Sequence, residues 1–295
     1  MKVGFIGLGI MGRPMAKNVM KAGHEVVCFD FNEAAVADVV EAGAVSAGCG
    51  RAVAEASDVV ITMLPNGPDV LAALTGEDGI AAGLSAGKVF IDMSSIAPAV
   101  SRQAGQIVEA AGAAMIDAPV SGGEPGAIAG TIAIMVGGDE QVFESVKDLL
   151  LTMGKSATYV GPLGAGNIAK LANQSIVAVN IAVLAEALVL TQKSGVDPAS
   201  VVQAIRGGLA GSAVMEQKAE KMLNQEFSPG FRINLHIKDL NNALATGAET
   251  DSYMPLTAIA RQMMSSLKSH GFDGEDHSSL LRIYQQLSNT ILGQE

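Results

Sequence analysis

Cysteine is scarce in this chain of 295 residues. Cys28 and Cys49 are its only two, which excludes a disulfide framework and predicts free thiols in a reducing compartment. Charge is sparse as well, at 17% against 49% apolar residues. That balance excludes disorder and leaves enough apolar surface for a sizeable core. Basic residues number 19 against 30 acidic ones, for a net charge of −11. With no basic cluster of five or more, nucleic acid is excluded as a partner. A field of this sign also repels anions at long range, so an anionic substrate needs a local positive feature. The 34 glycines and 10 prolines follow no Gly-X-Y period, which excludes collagen. No apolar run reaches the roughly 20 residues of a bilayer span. The longest, Ile176 to Leu190, is interrupted by Asn180 and Glu186. At the start of the chain, glycines break the apolar run Lys2 to Gly7, and Arg13, Lys17 and Lys21 follow closely; this is not the layout of a secretory signal. A soluble cytoplasmic protein without a membrane partner is expected.

What is present alternates. Short apolar runs at Lys2–Ile6, Glu25–Phe29, Asp58–Met63, Val89–Asp92, Ala113–Asp117 and Ile132–Val136 read as strands. Helical patterns such as Gly12–Lys21 and Glu33–Glu41 separate them. Strands apolar nearly throughout, joined by helical crossovers, predict a largely parallel sheet covered on both faces. After Gly166 the texture changes. No glycine or proline interrupts the chain as far as Lys193, which predicts a helix of about 28 residues, ~42 Å long. Such a helix is too long for a crossover and is expected to bridge two domains. Gly195 suits its C-terminal cap, and Asp197-Pro198 suits the start of the next helix. Further helices are predicted near 198–206, 212–223, 234–247, 255–270 and 277–291. The predicted fold is therefore α/β: a doubly wound parallel sheet over 1–163, then an all-α domain over 164–295 that opens with the long interdomain helix.

Gly7-Leu8-Gly9-Ile10-Met11-Gly12 lies between the first strand and the first helix. In that setting a G-x-G-x-x-G has a mechanical reading. The first glycine permits the tight turn, the second lets a pyrophosphate approach the backbone, and the third lets helix and strand pack closely. Free amides at the helix start then meet the phosphates. Asp30 closes the second strand and can accept both hydroxyls of an adenosine ribose. Phe31 follows it, with no arginine there to meet a 2′-phosphate, so NAD(H) is preferred and NADP(H) is the second option, with Arg51 or a nearby lysine able to reverse that order. Leu64, Pro65 and Ser95 follow the strands at 58–63 and 89–92 and should line the same crevice. Ser94 and Ser95 could equally cap the helix that begins near Pro98.

Hydride chemistry at a carbonyl needs a proton donor for the forming alkoxide. Among the histidines, His24 reads as structural, His270 sits at a helix C-terminus, and His236 and His277 are candidates by spacing alone. Lys170 is the stronger candidate. It follows the glycine-rich entry Gly161–Gly166 and stands in an otherwise apolar helix, three residues from Asn173, so the two share one face. Desolvation would let a lysine act as an acid near neutral pH. Ser121, Gly122 and Gly123, after the strand ending at Asp117, offer a hydroxyl and exposed amides to a substrate carboxylate. Lys238-Asp239 by itself reads as an exposed charge pair.

The run Phe5 to Asn18, together with Asp117–Gly123, Gly164–Asn173 and His236–Leu240, resembles the ordered motifs of the β-hydroxyacid dehydrogenases over essentially the whole chain. The resemblance implies a Rossmann domain, a long interdomain helix and an α-helical domain in a homodimer or homotetramer. It implies Lys170 as general acid/base, Ser121, Gly122 and Gly123 as the carboxylate anchor, Asn173 as a substrate-orienting amide, and Lys238 as a contact for the substrate and the nicotinamide end. The substrate would be a small aldehyde or hydroxyacid bearing a carboxylate. One departure is Gln174, where the family often has a second asparagine after Asn173. A protein that binds the dinucleotide as a sensor, without turnover, is the reading from a different class; the Lys170–Asn173 face and the Ser121 loop argue against it.

Overall fold

The structure, a computed structural model, describes residues 1–294. The chain divides into two compact units, Met1–Lys170 and Leu171–Glu295. In the first, the elements run β1 (Lys2–Ile6), α1 (Gly12–Lys21), β2 (Glu25–Phe29), α2 (Glu33–Glu41), β3 (Val45–Ser46), α3 (Gly50–Glu55), β4 (Val59–Thr62), α4 (Gly67–Leu74), α5 (Ile80–Gly83), β5 (Val89–Asp92), α6 (Pro98–Ala110), β6 (Ala114–Asp117), β7 (Val120–Ser121), α7 (Gly123–Ala129), β8 (Ile132–Gly138), α8 (Glu140–Leu151) and β9 (Gly154–Gly161). Helix α9 (Ala165–Lys193) begins in this unit. The second unit continues with α10 (Pro198–Ile205), α11 (Ala213–Leu223), α12 (Ile233–Glu249), α13 (Pro255–Ser269), a 3₁₀ turn at His277–Leu280, and α14 (Leu281–Leu287).

The sheet order is β3-β2-β1-β4-β5-β6-β8-β7, with β9 on the far edge of β8. From β3 to β6 every pairing is parallel. The strand at 132–138 departs from the βαβ form expected of it. It runs antiparallel to both β6 and β7 and parallel to β9. β7 and the seven-residue α7 lie between β6 and β8, and β8 returns beside β7 in antiparallel register, with Val120 opposite Ile134 and Ser121 opposite Ala133, so the chain reverses there instead of crossing over. The short strands β3 and β7 and the strand β9 carry no strong apolar run, and sequence periodicity missed them.

Side chains sort onto the two faces with the period of two that strands impose. Val3, Phe5, Val59, Ile61, Ile91 and Ile116 pack with α1, α2 and α8 through Met15, Val19, Val39, Phe143 and Leu150. Ile6, Val60, Phe90 and Met115 face the other way, onto Val53, Val70, Leu74, Ala104 and Val108 of α3, α4 and α6. Both faces are covered, so apolar strands carry no penalty here. Cys28 and Cys49 are free thiols, and burial pushes the Cys28 thiol above its ordinary value.

In the second unit, α9 contributes Ala178, Ile181, Leu184, Ala185, Leu188 and Val189 to a core shared with α11, α12 and α13. By length and composition alone α9 could cross a membrane. This buried stripe gives the apolar composition a different use, as a core helix. Near the end of the chain, Asp276 is fully buried and ties three segments together. Its carboxylate accepts the amides of Gly230 and Phe231 at 2.9 and 3.0 Å, and the amide and hydroxyl of Ser278 at 3.1 and 2.7 Å. The Lys218 ammonium lies at 3.0 Å. Burial opposes the charge, but His277, Lys218 and these donors outweigh it and hold the carboxyl well below the usual carboxylate range. Removing one partner of such a pair strands the other. Asp276→Ala should therefore cost about 3–5 kcal/mol in denaturant unfolding near neutral pH. A depressed carboxyl contributes stability above its unfolded value and loses it as pH falls, so the deficit should shrink below about pH 4.

Candidate active site

In the first unit the strand order reverses at β1, between β2 and β4, and ligands of doubly wound sheets bind over the carboxyl ends of the strands at such a point. Those ends carry the glycine loop. Gly7 has φ +93°, and a Cβ there would stand 2.4 Å from the Met63 carbonyl oxygen. A Cβ on Gly12 would meet the Gly7 carbonyl oxygen at 1.9 Å. Gly9 differs: apart from its chain neighbours, nothing among the described residues lies within 4 Å of its Cβ position, so space is open where a phosphate must come close. No side chain caps the start of α1, and its first-turn amides are not claimed by one. Asp30 accepts the Leu8 amide through Oδ2 at 2.6 Å and the Asn32 amide through Oδ1 at 2.8 Å. Each oxygen keeps a lone pair for a ribose hydroxyl. The open cradle at Gly9 and this oriented acid both fit a dinucleotide cofactor.

Beneath the crevice two buried acids end adjacent strands, paired in register as Asp92 and Asp117. Asp92 Oδ1 accepts the Thr62 hydroxyl at 2.8 Å and the Ser94 amide at 3.1 Å. Its Oδ2 is buried without a hydrogen-bond partner among the described residues. Ser94 in turn accepts the Leu64 amide through Oγ at 2.9 Å. Helix α6 begins at Pro98 with Ala97 as an uncapped first position, so Ser94 braces the Leu64 loop instead of capping that helix. Asp117 accepts the amides of Gly164 and Asn167, both at 2.7 Å. Burial pushes both carboxyls up, to about 6, against the pull of these hydrogen bonds. The expectations from sequence included Asp30 but assigned no task to Asp92 or to Asn167. A charged residue closing an apolar strand was the available signal.

Leu64 and Ser95 are half-buried and Pro65 is exposed, each just beyond a strand end. Ser121 closes β7, and Gly122 and Gly123 follow at φ +141° and +64°, a left-handed stretch that favours glycine. Lys170 is only 7% exposed, in the second turn of α9.

The second unit holds the remaining candidates. Asn173 donates through Nδ2 to Gln174 Oε1 at 2.8 Å, and Gln174 donates through Nε2 to Asp239 Oδ2 at 2.7 Å. Lys238 Nζ lies 3.1 Å from Asp239 Oδ1. Asp239 is buried and Lys238 half-buried, so this pair is not the exposed surface pair that spacing alone suggests. His236 and His277 come together, with their Nδ1 atoms 3.0 Å apart, while His236 Nε2 meets the Gln174 carbonyl oxygen at 3.1 Å. A carbonyl only accepts, so His236 donates there. His270 caps the end of α13 and bonds the Ser266 carbonyl oxygen through Nδ1 at 2.7 Å.

The buried acids give a pH signature. A carboxyl whose folded value lies above its unfolded one favours the folded state at low pH and loses that contribution as pH rises through the folded value. For Asp92, about 6 against an ordinary 3.8 corresponds to about 3 kcal/mol. Asp92→Asn removes this dependence. Its melting temperature relative to the unaltered protein should therefore rise between about pH 4 and pH 6. A difference constant across that range would show that Asp92 does not titrate there.

Known proteins match this geometry along its length. Residues 2–161 match the model for the NAD-binding domain of 6-phosphogluconate dehydrogenase. Residues 164–284 match that for the NAD-binding of NADP-dependent 3-hydroxyisobutyrate dehydrogenase. The chain is 44% identical to 2-hydroxy-3-oxopropionate reductase of Escherichia coli, covering 98% of this chain and 99% of that one. To 2-(hydroxymethyl)glutarate dehydrogenase of Eubacterium barkeri it is 41% identical, with 97% and 96% covered. Among solved structures, Mycobacterium tuberculosis 3-hydroxyisobutyrate dehydrogenase with L-serine superposes with a TM-score of 0.89 at 32% identity, covering 96% of this chain and 98% of that one. The chain belongs to the β-hydroxyacid dehydrogenase family, and it is an NAD(P)-dependent oxidoreductase acting on a CH–OH group.

Proposed function

We propose that the protein is a 2-hydroxy-3-oxopropionate (tartronate semialdehyde) reductase that interconverts this semialdehyde and glycerate. The observation that carries the reading is Lys170, a lysine 7% exposed in the second turn of the helix whose first amides are bound by Asp117 at the end of β6. The 44% identity to a reductase of that name over nearly the whole chain supports the choice of substrate. Residues 1–163 form the nucleotide-binding half in this reading, and 164–295 the helical half.

Gly7 to Gly12 hold the pyrophosphate, Asp30 the adenosine ribose, and Leu64, Pro65 and Ser95 line the path to the nicotinamide. When bound, the dinucleotide supplies or accepts the hydride. Ser121, Gly122 and Gly123 anchor the substrate carboxylate, and Asn173 orients a polar group of the substrate. Lys238 serves the substrate and the nicotinamide end. As hydride reaches the aldehyde carbon, the C=O π electrons move onto oxygen, and Lys170 Nζ gives that oxygen its proton. In the oxidative direction Lys170 takes the proton back.

NAD(H) is the preferred cofactor in this reading. Phe31, beside Asp30, is 93% exposed and offers no charge to a 2′-phosphate. Arg51, the cation that could have reversed the preference, is paired with Glu55 at 2.8 Å. Arg13 and Lys17 lie 3.9 and 2.8 Å from Asp38. The working form is a homodimer or homotetramer in the cytoplasm, without membrane or nucleic-acid partners. Ile176, Val183 and Leu190 stand seven residues apart on α9 and are exposed, an apolar stripe suited to a second copy of the chain. Light scattering should give the mass of two or four chains, and a single-chain mass would overturn this part.

The deciding measurement is kcat/KM for tartronate semialdehyde, glyoxylate, succinic semialdehyde and methylmalonate semialdehyde, each with NADH and NADPH. Tartronate semialdehyde with NADH should lead by about tenfold or more, a discrimination of 1.4 kcal/mol. If another semialdehyde leads, the substrate assignment is wrong. If NADH binds and nothing turns over, the sensor reading replaces it. Lys170→Ala should lower kcat by about 10²–10⁴-fold with cofactor affinity retained.

A further inference from the structure

We propose that Asn167 is a positioning residue that couples the loop after β5 to the helical turn carrying Lys170. The inference rests on the role assigned above to Lys170. Asn167 has no exposure at all, and its polar atoms reach three separate segments. Its Oδ1 accepts the Ile96 amide at 3.0 Å. Its Nδ2 donates to Ser101 Oγ at 3.0 Å. Its backbone amide donates to Asp117 at 2.7 Å. The loop after β5 and the start of α6 are thus bonded directly to the first turn of α9, whose own start is held on β6.

That turn has no freedom to slide. A Cβ on Gly166 would stand 2.5 Å from the Met135 carbonyl oxygen and 2.7 Å from that of Asp117. Across the contact, a Cβ on Gly137 would stand 2.6 Å from the Gly166 amide nitrogen. Lys170 follows Gly166 by four residues and Asn167 by three, which puts it on the same face of α9 as both. Ser95, which lines the nicotinamide path in the proposed site, immediately precedes Ile96. A single buried side chain therefore links the cofactor-lining loop to the helix that presents the proton donor. Hydride and proton must arrive at neighbouring atoms of one carbonyl, and misplacement by about 1 Å can cost about 10²-fold in rate.

The test uses Asn167→Ala and Ser101→Ala in the full-length protein. Three quantities are read: kcat and KM for the best substrate, NADH affinity by fluorescence, and the acetylation of Lys170 by acetic anhydride across pH, followed by peptide mass spectrometry. Asn167→Ala should lower kcat by about 10²-fold, leave NADH affinity within about twofold, and move the pH midpoint of Lys170 acetylation. Ser101→Ala removes one of the two side-chain bonds, should act in the same direction more weakly, and carries the test if Asn167→Ala does not fold. A folded variant with unchanged kcat and an unchanged Lys170 midpoint, whatever its melting temperature, overturns the proposal and leaves Asn167 a structural residue. If the unaltered protein turns over no semialdehyde, the functional reading fails by itself; a moved acetylation midpoint in the variants would still support the coupling.

Discussion

Asp117 closes β6 and receives the amides of Gly164 and Asn167 at the start of α9. Burying this carboxylate is unfavourable, and its raised proton affinity records the cost. Two charge-assisted hydrogen bonds and the positive end of a 29-residue helix offset it. The arrangement sets where the helix begins. It brings Gly166 against the backbone of β6 and β8 so closely that neither Gly137 nor Gly166 could carry a side chain. Once that contact is made, Lys170 has a defined place in the first unit, about one turn along.

The other polar groups at the strand ends divide by burial into two kinds. Asp30 is half-buried, oriented by two backbone amides and left with lone pairs toward the crevice. Thr62, Asp92 and Ser94 are fully buried and bond mainly to one another and to the loops. Through Ser94 this set braces Leu64, while Asp117 through Asn167 reaches Ile96, so both loops lining the crevice are tied to the sheet below. Rigid loops on a rigid sheet suit a reaction in which a hydride and a proton must arrive at adjacent atoms. A low-dielectric floor also strengthens any charge interaction placed above it.

In the second unit the polar residues gather where α9 and α12 meet. Gln174 accepts from Asn173 and donates to Asp239, while its carbonyl oxygen receives His236. Asp239 is paired with Lys238. A buried amide with both ends occupied fixes its own orientation, and with it the side chains on either side. Lys218 and Asp276 do comparable work farther along, holding the segment before α12 to the one after α13.

Much of the architecture was legible in the sequence because it depends on periodicity and on glycine. Apolar runs of four or five residues located β1, β2, β4, β5 and β6 almost to the residue. Gly7, Gly9 and Gly12 could be assigned different tasks because only glycine meets each of three distinct demands: an unusual φ, open space, and close packing. The interruption-free stretch to Lys193 gave away α9. Other features carried no local signal. The reversal of β8 rests on its antiparallel pairing with β6 and β7, and β9 joins by pairing with β8. Lys238-Asp239 looked like a surface pair because burial is a property of the packed helices, not of the dipeptide. Asp92, Asp117 and Asn167 are ordinary polar residues in sequence. Apart from the Ser94 amide beside Asp92, their partners lie between 30 and 71 positions away, so their tasks arise only when distant segments are packed together. The sequence alone determined the five parallel strands β1, β2, β4, β5 and β6, the long helix, the dinucleotide loop and the identity of the proton-transfer candidate, because these rest on short-range sterics and hydrogen bonding. Tertiary structure alone decided which polar groups are buried, what satisfies them, and how the turn bearing Lys170 is held, because desolvation and partner choice depend on contacts the linear chain does not contain.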